Sequence, residues 1–461
     1  MSESNTSVED FGYRQELQRS LSLFDLLVYG LVFITPIGPF AVFGFVYNAS
    51  KGMVPLVYFV GLVAMLFTAT SYMAMSRAYP IAGSVYTYAS RSIGETVGFF
   101  AGWAILLDYI LTPTLVYVAC SVAIHSVVPD VPKAVWVVVL LGFNTLVNLY
   151  GIETTSRVAV ALLGLQLVVL AIFVAMAAWA VMRGVNGAHL SLQPLYNAKD
   201  VSPSLIFSAL SLAVLSFLGF DAVSTLAEEA RGGPNVVGRA TMASLCLAAF
   251  LFMVETYLAS LFVLGHPRFA PGDASDTAIY IVVMKIGGFW LKILLSIFGV
   301  LVAGIPTALT AQAATARLLY GMGRDGMLPR ALARVSPRKV PDNAIYLVAA
   351  VTLILGLLLV NRLELLSSMV SFGALLGFLL LHCSVIAHAV RKKKYRAWFQ
   401  YLLLPSIGFL IIAYVLLNAQ VNAKIAGGVW IVAGAGVLVV LKLMGRSTAL
   451  AVEVGSDSLK P

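Results

Sequence analysis

Residues 31–45 read LVFITPIGPFAVFGF, an apolar run of membrane-crossing character with Pro36 and Pro39 on either side of Gly38 near its centre. A proline lacks the N–H that an α-helix uses, and its ring clashes with the preceding turn, so a continuous helix is not expected through residues 35–39. A later apolar run breaks more gently at Ser216, Phe217, Leu218, Gly219, Phe220 and Asp221, which sets a glycine and a carboxylate inside a hydrophobic segment. Either break alone reads as a packing kink, because Gly and Pro are common in membrane helices. Together, in spans five apart, they point to an inverted-repeat transporter with its site near the bilayer midplane.

Composition supports the membrane reading. Of 461 residues, 60% are hydrophobic and 11% charged, with a mean hydropathy of +0.93, whereas about a quarter of the residues in soluble chains are charged. Roughly twenty apolar residues are needed per crossing. Runs of that kind place spans near 23–47, 53–76, 96–128, 133–151, 156–182, 204–229, 239–264, 278–316, 343–360, 364–390, 400–418 and 424–444. The chain is thus expected to be an all-α integral membrane protein of about twelve transmembrane helices, with helices 1 and 6 broken. An even number of spans puts both termini on one side.

If that side is cytoplasmic, 21 of the 30 Lys and Arg residues lie inside, among them the 317–339 loop and the RKKKYR run at 391–396, and 9 lie outside. This obeys the positive-inside rule. The net charge of +9 is therefore topological rather than a nucleic-acid footprint, and the 391–396 run reads as a cytoplasmic anchor beside the membrane lipids. Residues 1–20 contain Glu3, Glu9, Asp10, Arg14, Glu16 and Arg19 and no secretory signal. Cytoplasmic tails over 1–20 and 446–461 are expected to flank one membrane domain at 21–445. Cys120, Cys246 and Cys383 sit far apart in apolar stretches without metal or disulfide spacing, so no metal or cofactor is expected.

The informative polar groups are acids. Asp108, in AGWAILLDYILTPTLVYV, falls near the middle of the third span, where an aspartate costs about 2.5 to 3.5 kcal/mol to insert. Asp221 follows the break in the sixth, and no Lys or Arg lies near the middle of any span to neutralise either acid. An exogenous cation or a proton is the simplest partner for both. Glu255 in the seventh span is a third proton-coupling candidate beside Asp108 and Asp221, while Glu228 and Glu229 end the sixth span beside Arg231. His382 and His388, six residues apart, read as satisfied or solvated, and Gln166 as an interhelical hydrogen-bonding group. A membrane-embedded enzyme or sensor would want a metal-spaced His/Glu set, a nucleophile with its base, or a soluble domain; a channel would want charged or carbonyl-rich filters. Neither pattern is visible.

The runs PIAGSVYTYASRSIG from Pro80, FLGFDAVSTLAEE from Phe217 and RLLYGMGRDGMLPRALARVSP from Arg317, in this order, resemble the amino acid, polyamine and organocation transporter superfamily over residues 20–445. Within it, LLDY at 106–109 and SFLGFDAVSTL at 216–226 are most similar to bacterial putrescine importers. The resemblance implies ten core helices in two inverted five-helix repeats, about 21–185 and 200–390, with helices 11 and 12 (about 400–445) peripheral. It also implies substrate between helices 1, 3, 6, 8 and 10, and a location in the bacterial cytoplasmic membrane.

Carried over by position, the first break maps to residues 35–39, the second to residues 216–219, and the acid after it to Asp221. The expected substrate-binding set is Thr35, Ile37, Gly38, Asp108, Tyr109, Ser216, Phe217, Gly219 and Asp221. Two departures matter, the first for substrate and the second for the coupling ion. Amino-acid carriers show a glycine-rich first break whose free N–H groups hold a carboxylate, whereas Pro36 and Pro39 have none. A fifth-span lysine that replaces sodium in some relatives is also absent. A proton-coupled importer of putrescine or a related polyamine is expected, with an amino-acid permease on the same fold as the alternative.

Overall fold

The computed structural model describes residues 21–79, 84–150, 156–221, 223, 230–231, 234–324, 328–338, 340–392 and 397–443. Both tails, the start of the first family motif, Glu228, Glu229 and most of the 391–396 run lie outside the described residues. Every regular element described is helical.

The chain opens with a capping box. The Ser22 hydroxyl accepts from the Asp25 N–H (3.3 Å) and the Asp25 carboxylate from the Ser22 N–H (2.9 Å), satisfying donors that a helix start leaves orphaned. It begins α1 (Leu23–Ile34), which is followed by α2 (Gly38–Ser50) at a 47° bend. Next come α3 (Val54–Ala78), α4 (Ser84–Ser92), α5 (Glu95–His125), α6 (Lys133–Tyr150) and α7 (Ser156–Met182). The second half contains α8 (Pro203–Phe217), α9 (Pro234–Ser260), α10 (Asp273–Asp276), α11 (Ala278–Ile293) and α12 (Ile305–Arg324). It closes with α13 (Asp342–Leu358), α14 (Leu363–Arg391), α15 (Leu404–Leu417) and α16 (Val421–Leu443).

Among the described residues, nine helices, or ten counting the bent α1–α2 pair, are long and apolar enough to cross a bilayer. The shorter apolar helices α8 and α13 occupy the positions expected for spans six and nine. Burial separates inner helices from outer ones: 67% of the most apolar window of α14 and 61% of that of α5 are buried, against 28% and 22% in α15 and α16. The outermost helix is fastened by a stacked pair, Trp103 on Trp430 at 4.7 Å, in which each indole N–H donates to the other residue's backbone carbonyl.

Two elements differ from the reading of the sequence. A short helix, α4, packs on α5 and α14 in a stretch too polar and short to register as a span. The region expected as one straight span at 278–316 is segmented: Gly288 takes φ 71, ψ −159, and residues Leu294–Phe298 and Val300–Gly304 form π-helical turns before α12. Hydropathy reports how apolar a stretch is, and a glycine's positive φ leaves that value unchanged.

Candidate functional site

The first break is built around Thr35, which takes φ 60, ψ 93 after α1, a conformation costly for a β-branched residue. The Thr35 N–H still reaches the Leu31 carbonyl (3.0 Å), and the Gly38 N–H donates to the Thr35 carbonyl (2.7 Å). Pro36 supplies no donor to the turn behind it; instead the Thr35 hydroxyl lies 3.4 Å from the Val32 carbonyl and 3.1 Å from the Thr307 hydroxyl on α12. The second break follows α8, where Leu218 turns extended (ψ 139) and Gly219 takes φ 113. The Gly219 N–H donates to Asp221 Oδ1 at 3.2 Å.

The two breaks touch. A Cβ on Gly219 would lie 2.8 Å from the backbone carbonyl carbon of Phe33, so both the backbone angle and the packing require glycine here. Gly38 rests against Ser216, whose hydroxyl pairs with that of Tyr58 on α3 at 2.9 Å. From α5, Asp108 faces the same place, with its Oδ1 accepting from Thr112 one turn on (2.9 Å).

Between these elements lie two adjoining cavities that share Phe33, Thr112, Leu218 and Thr307 as wall. The smaller, about 90 Å³, is lined by Asp108, Tyr109, Gly219 and Asp221. The larger, about 200 Å³, is lined by Thr35, Ile37, Gly38 and Ser216, and extends to Asp276 at the end of α10. Eight of the nine residues expected to bind substrate therefore line one or other of these two adjoining cavities. Phe217 does not line it: its ring is fully buried on the other side of α8, packed on Tyr58 (5.8 Å) and Phe252 (5.5 Å). The last turn of α8 aims residue 217 at α3 while residue 218 faces the cavity.

Glu255 on α9 lines neither cavity. It is fully buried, neither carboxyl oxygen has a hydrogen-bond partner among the described residues, and its charge would be felt by the Tyr58 hydroxyl. His382 is buried, with Ser71 at 2.9 Å and Thr68 at 3.4 Å, and Tyr79 meets His388 at 3.1 Å; both histidines hold α14 to α3. The eighth span is one of the helices that the resemblance places around substrate, but its residues were not singled out in the sequence: Ser296, Gly299, Ala303, Gly304 and Thr307 line the larger cavity. Their signal was there as small residues recurring every three or four positions, the spacing of a helix face that lets another surface approach.

The model for the family described as amino acid permease matches residues 21–441. The chain belongs to this family of membrane transporters. Across most of its length this permease is similar to the low-affinity putrescine importer PlaP of Escherichia coli strain K12, with 32% identity over 91% of this chain and 93% of that one. It is 28% identical to the branched-chain amino acid permease BcaP of Bacillus subtilis strain 168, over 82% of each chain. With the methylthioribose transporter of the same Bacillus strain it shares 24% identity over 85% of this chain and 86% of that one. Family membership is the one expected from the three motifs; the relatives' named cargoes differ in charge.

Proposed function

We propose that this permease is a secondary transporter that imports a small organic cation, most favourably a diamine such as putrescine, by alternating access in a bacterial cytoplasmic membrane with both termini inside. The observation that carries this reading is that Asp108 and Asp221, from different helices, line one small cavity together with the Tyr109 ring. Each acid binds one ammonium group, and Tyr109 and Leu218 pack along the methylenes. A buried carboxylate charge in low dielectric costs several kcal/mol or more unless it is compensated, so an arriving ammonium stabilises the ionised acid and is held by it.

The same balance couples the cargo to protons. Once the cation has left, a proton is the other species able to neutralise these acids, with Glu255 as a third site that can hold one. The likeness to the branched-chain amino acid permease favours a second reading, an amino-acid permease on this fold. Two backbone donors at the breaks are already engaged, Gly38 with Thr35 and Gly219 with Asp221, and Pro36 and Pro39 have none to offer, which disfavours a carboxylate. Uptake of labelled putrescine into proteoliposomes tests both readings: inhibition by excess cold putrescine and spermidine, but not by leucine or other neutral amino acids, is expected. Inhibition by neutral amino acids alone would replace the first reading with the second.

A further inference from the structure

The larger cavity has an acid in its wall that nothing in the function proposed so far uses. Asp276 closes α10, in the connection between α9 and α11, which the charge distribution assigns to the outer face. It is only 4% exposed, lines the cavity, and its Oδ2 has no hydrogen-bond partner among the described residues. The same cavity is lined by Thr35, Gly38 and Ser216 at the two helix breaks.

The acid is held in position. The Ser275 carbonyl oxygen lies so close to Gly44 of α2 that a Cβ there would overlap it at 2.0 Å, so α10 sits directly on the half-helix that follows the first break. The charged and titratable groups around Asp276 are Lys133 of α6, Asp273 of α10 and Glu364 of α14. Lys133 is committed to Asp273 by an ion pair of 2.5 Å, and Glu364 accepts from Gln420. Burial pushes the Asp276 carboxyl up to about 6, near enough to neutrality for a cation to decide its state.

We infer that Asp276 is a vestibule site for an ammonium group, at which a cationic substrate is first captured before it passes along the apolar cavity wall to Asp108 and Asp221. This rests on the cation reading above. An almost fully buried carboxylate in a cavity wall, with one oxygen that has no hydrogen-bond partner among the described residues, attracts an ammonium and repels a carboxylate, so it raises the local concentration of one class of cargo. The charge must be present for capture. Lowering the outer pH through about 6 protonates the acid and weakens capture; raising it restores the charge.

The test uses the full chain in proteoliposomes with labelled putrescine, comparing wild type, Asp276→Asn and Asp276→Glu. Asp276→Asn keeps the shape and removes the charge, and should raise KM about fivefold, the size of a partly screened ion pair, with kcat within about twofold. Asp276→Glu should restore a KM within about twofold of wild type. Lowering the outer pH from about 7.5 to about 5.5 should raise the wild-type KM more than that of Asp276→Asn. Equal KM in wild type and Asp276→Asn overturns the inference and leaves the central site standing, as does equal impairment by Asn and Glu, which marks a packing role. Wild type that takes up no putrescine overturns the cation reading itself and this inference with it.

Discussion

Between Ile34 and Gly38 the chain leaves its helix through a proline and a threonine held at φ 60; between Phe217 and Asp221 it leaves through a glycine at φ 113 and a carboxylate that caps the exposed N–H. The first break removes donors by composition, because Pro36 and Pro39 have no N–H. The second has a donor and occupies it from within, because Asp221 lies two residues beyond Gly219. Both routes put an oxygen-bearing side chain in the cavity wall: the Thr35 hydroxyl on one side, the Asp221 carboxylate on the other. Opening a helix does not by itself select an anion or a cation; what fills the freed hydrogen-bonding groups does.

The largest expected effect separates the two backbones. Gly219→Ala must place a Cβ 2.8 Å from the Phe33 carbonyl carbon at a φ of 113, so the breaks cannot stay in contact. Strain of order 1 to 3 kcal/mol should appear as a lowered Tm, with putrescine uptake reduced by about a hundredfold. Near-normal uptake by this variant would show that contact between the breaks is dispensable.

The second prediction removes charge from the sixth-span side. Asp221→Asn should weaken putrescine binding at least tenfold, about 1.4 kcal/mol, with insertion and Tm retained. Asp108→Asn tests whether the third span supplies a second charge. It should weaken putrescine binding to a similar degree but weaken that of butylamine less, because only a second ammonium needs the second acid. Calorimetric titration of both ligands checks this, and equal losses at Asp108 would leave a one-acid site.

A smaller effect concerns coupling. Glu255→Gln removes a buried acid that touches neither cavity, so putrescine affinity at fixed pH should stay within about threefold while proton-driven accumulation declines. Measuring uptake with and without an imposed pH gradient separates the two, and unchanged gradient dependence would make Glu255 structural. The smallest effect is expected at the other break. Thr35→Gly relieves the positive φ and loses the hydroxyl's pair with Thr307 and its longer bond to the Val32 carbonyl, so Tm should hold or rise and KM should change by about twofold to threefold.

Membrane class, helical architecture, both breaks and both central acids were legible in the sequence because each depends on local chemistry. A proline removes its own N–H wherever it sits, and a carboxylate in an apolar run is conspicuous against twenty hydrophobic neighbours. That Asp108 and Asp221, more than a hundred residues apart, line one cavity was decided by how α5 and the sixth span pack. The rotation of α8 that sends Phe217 to Tyr58 and presents Leu218 to the cavity is likewise tertiary, since two adjacent apolar residues are equivalent until a neighbouring helix supplies one of them with a partner. The segmented eighth-span wall and the burial of Asp276 belong to the same class. An aspartate in a polar connection reads as solvated until Gly44 lets α10 settle on α2, and only that contact brings Asp276 into the wall of the larger cavity.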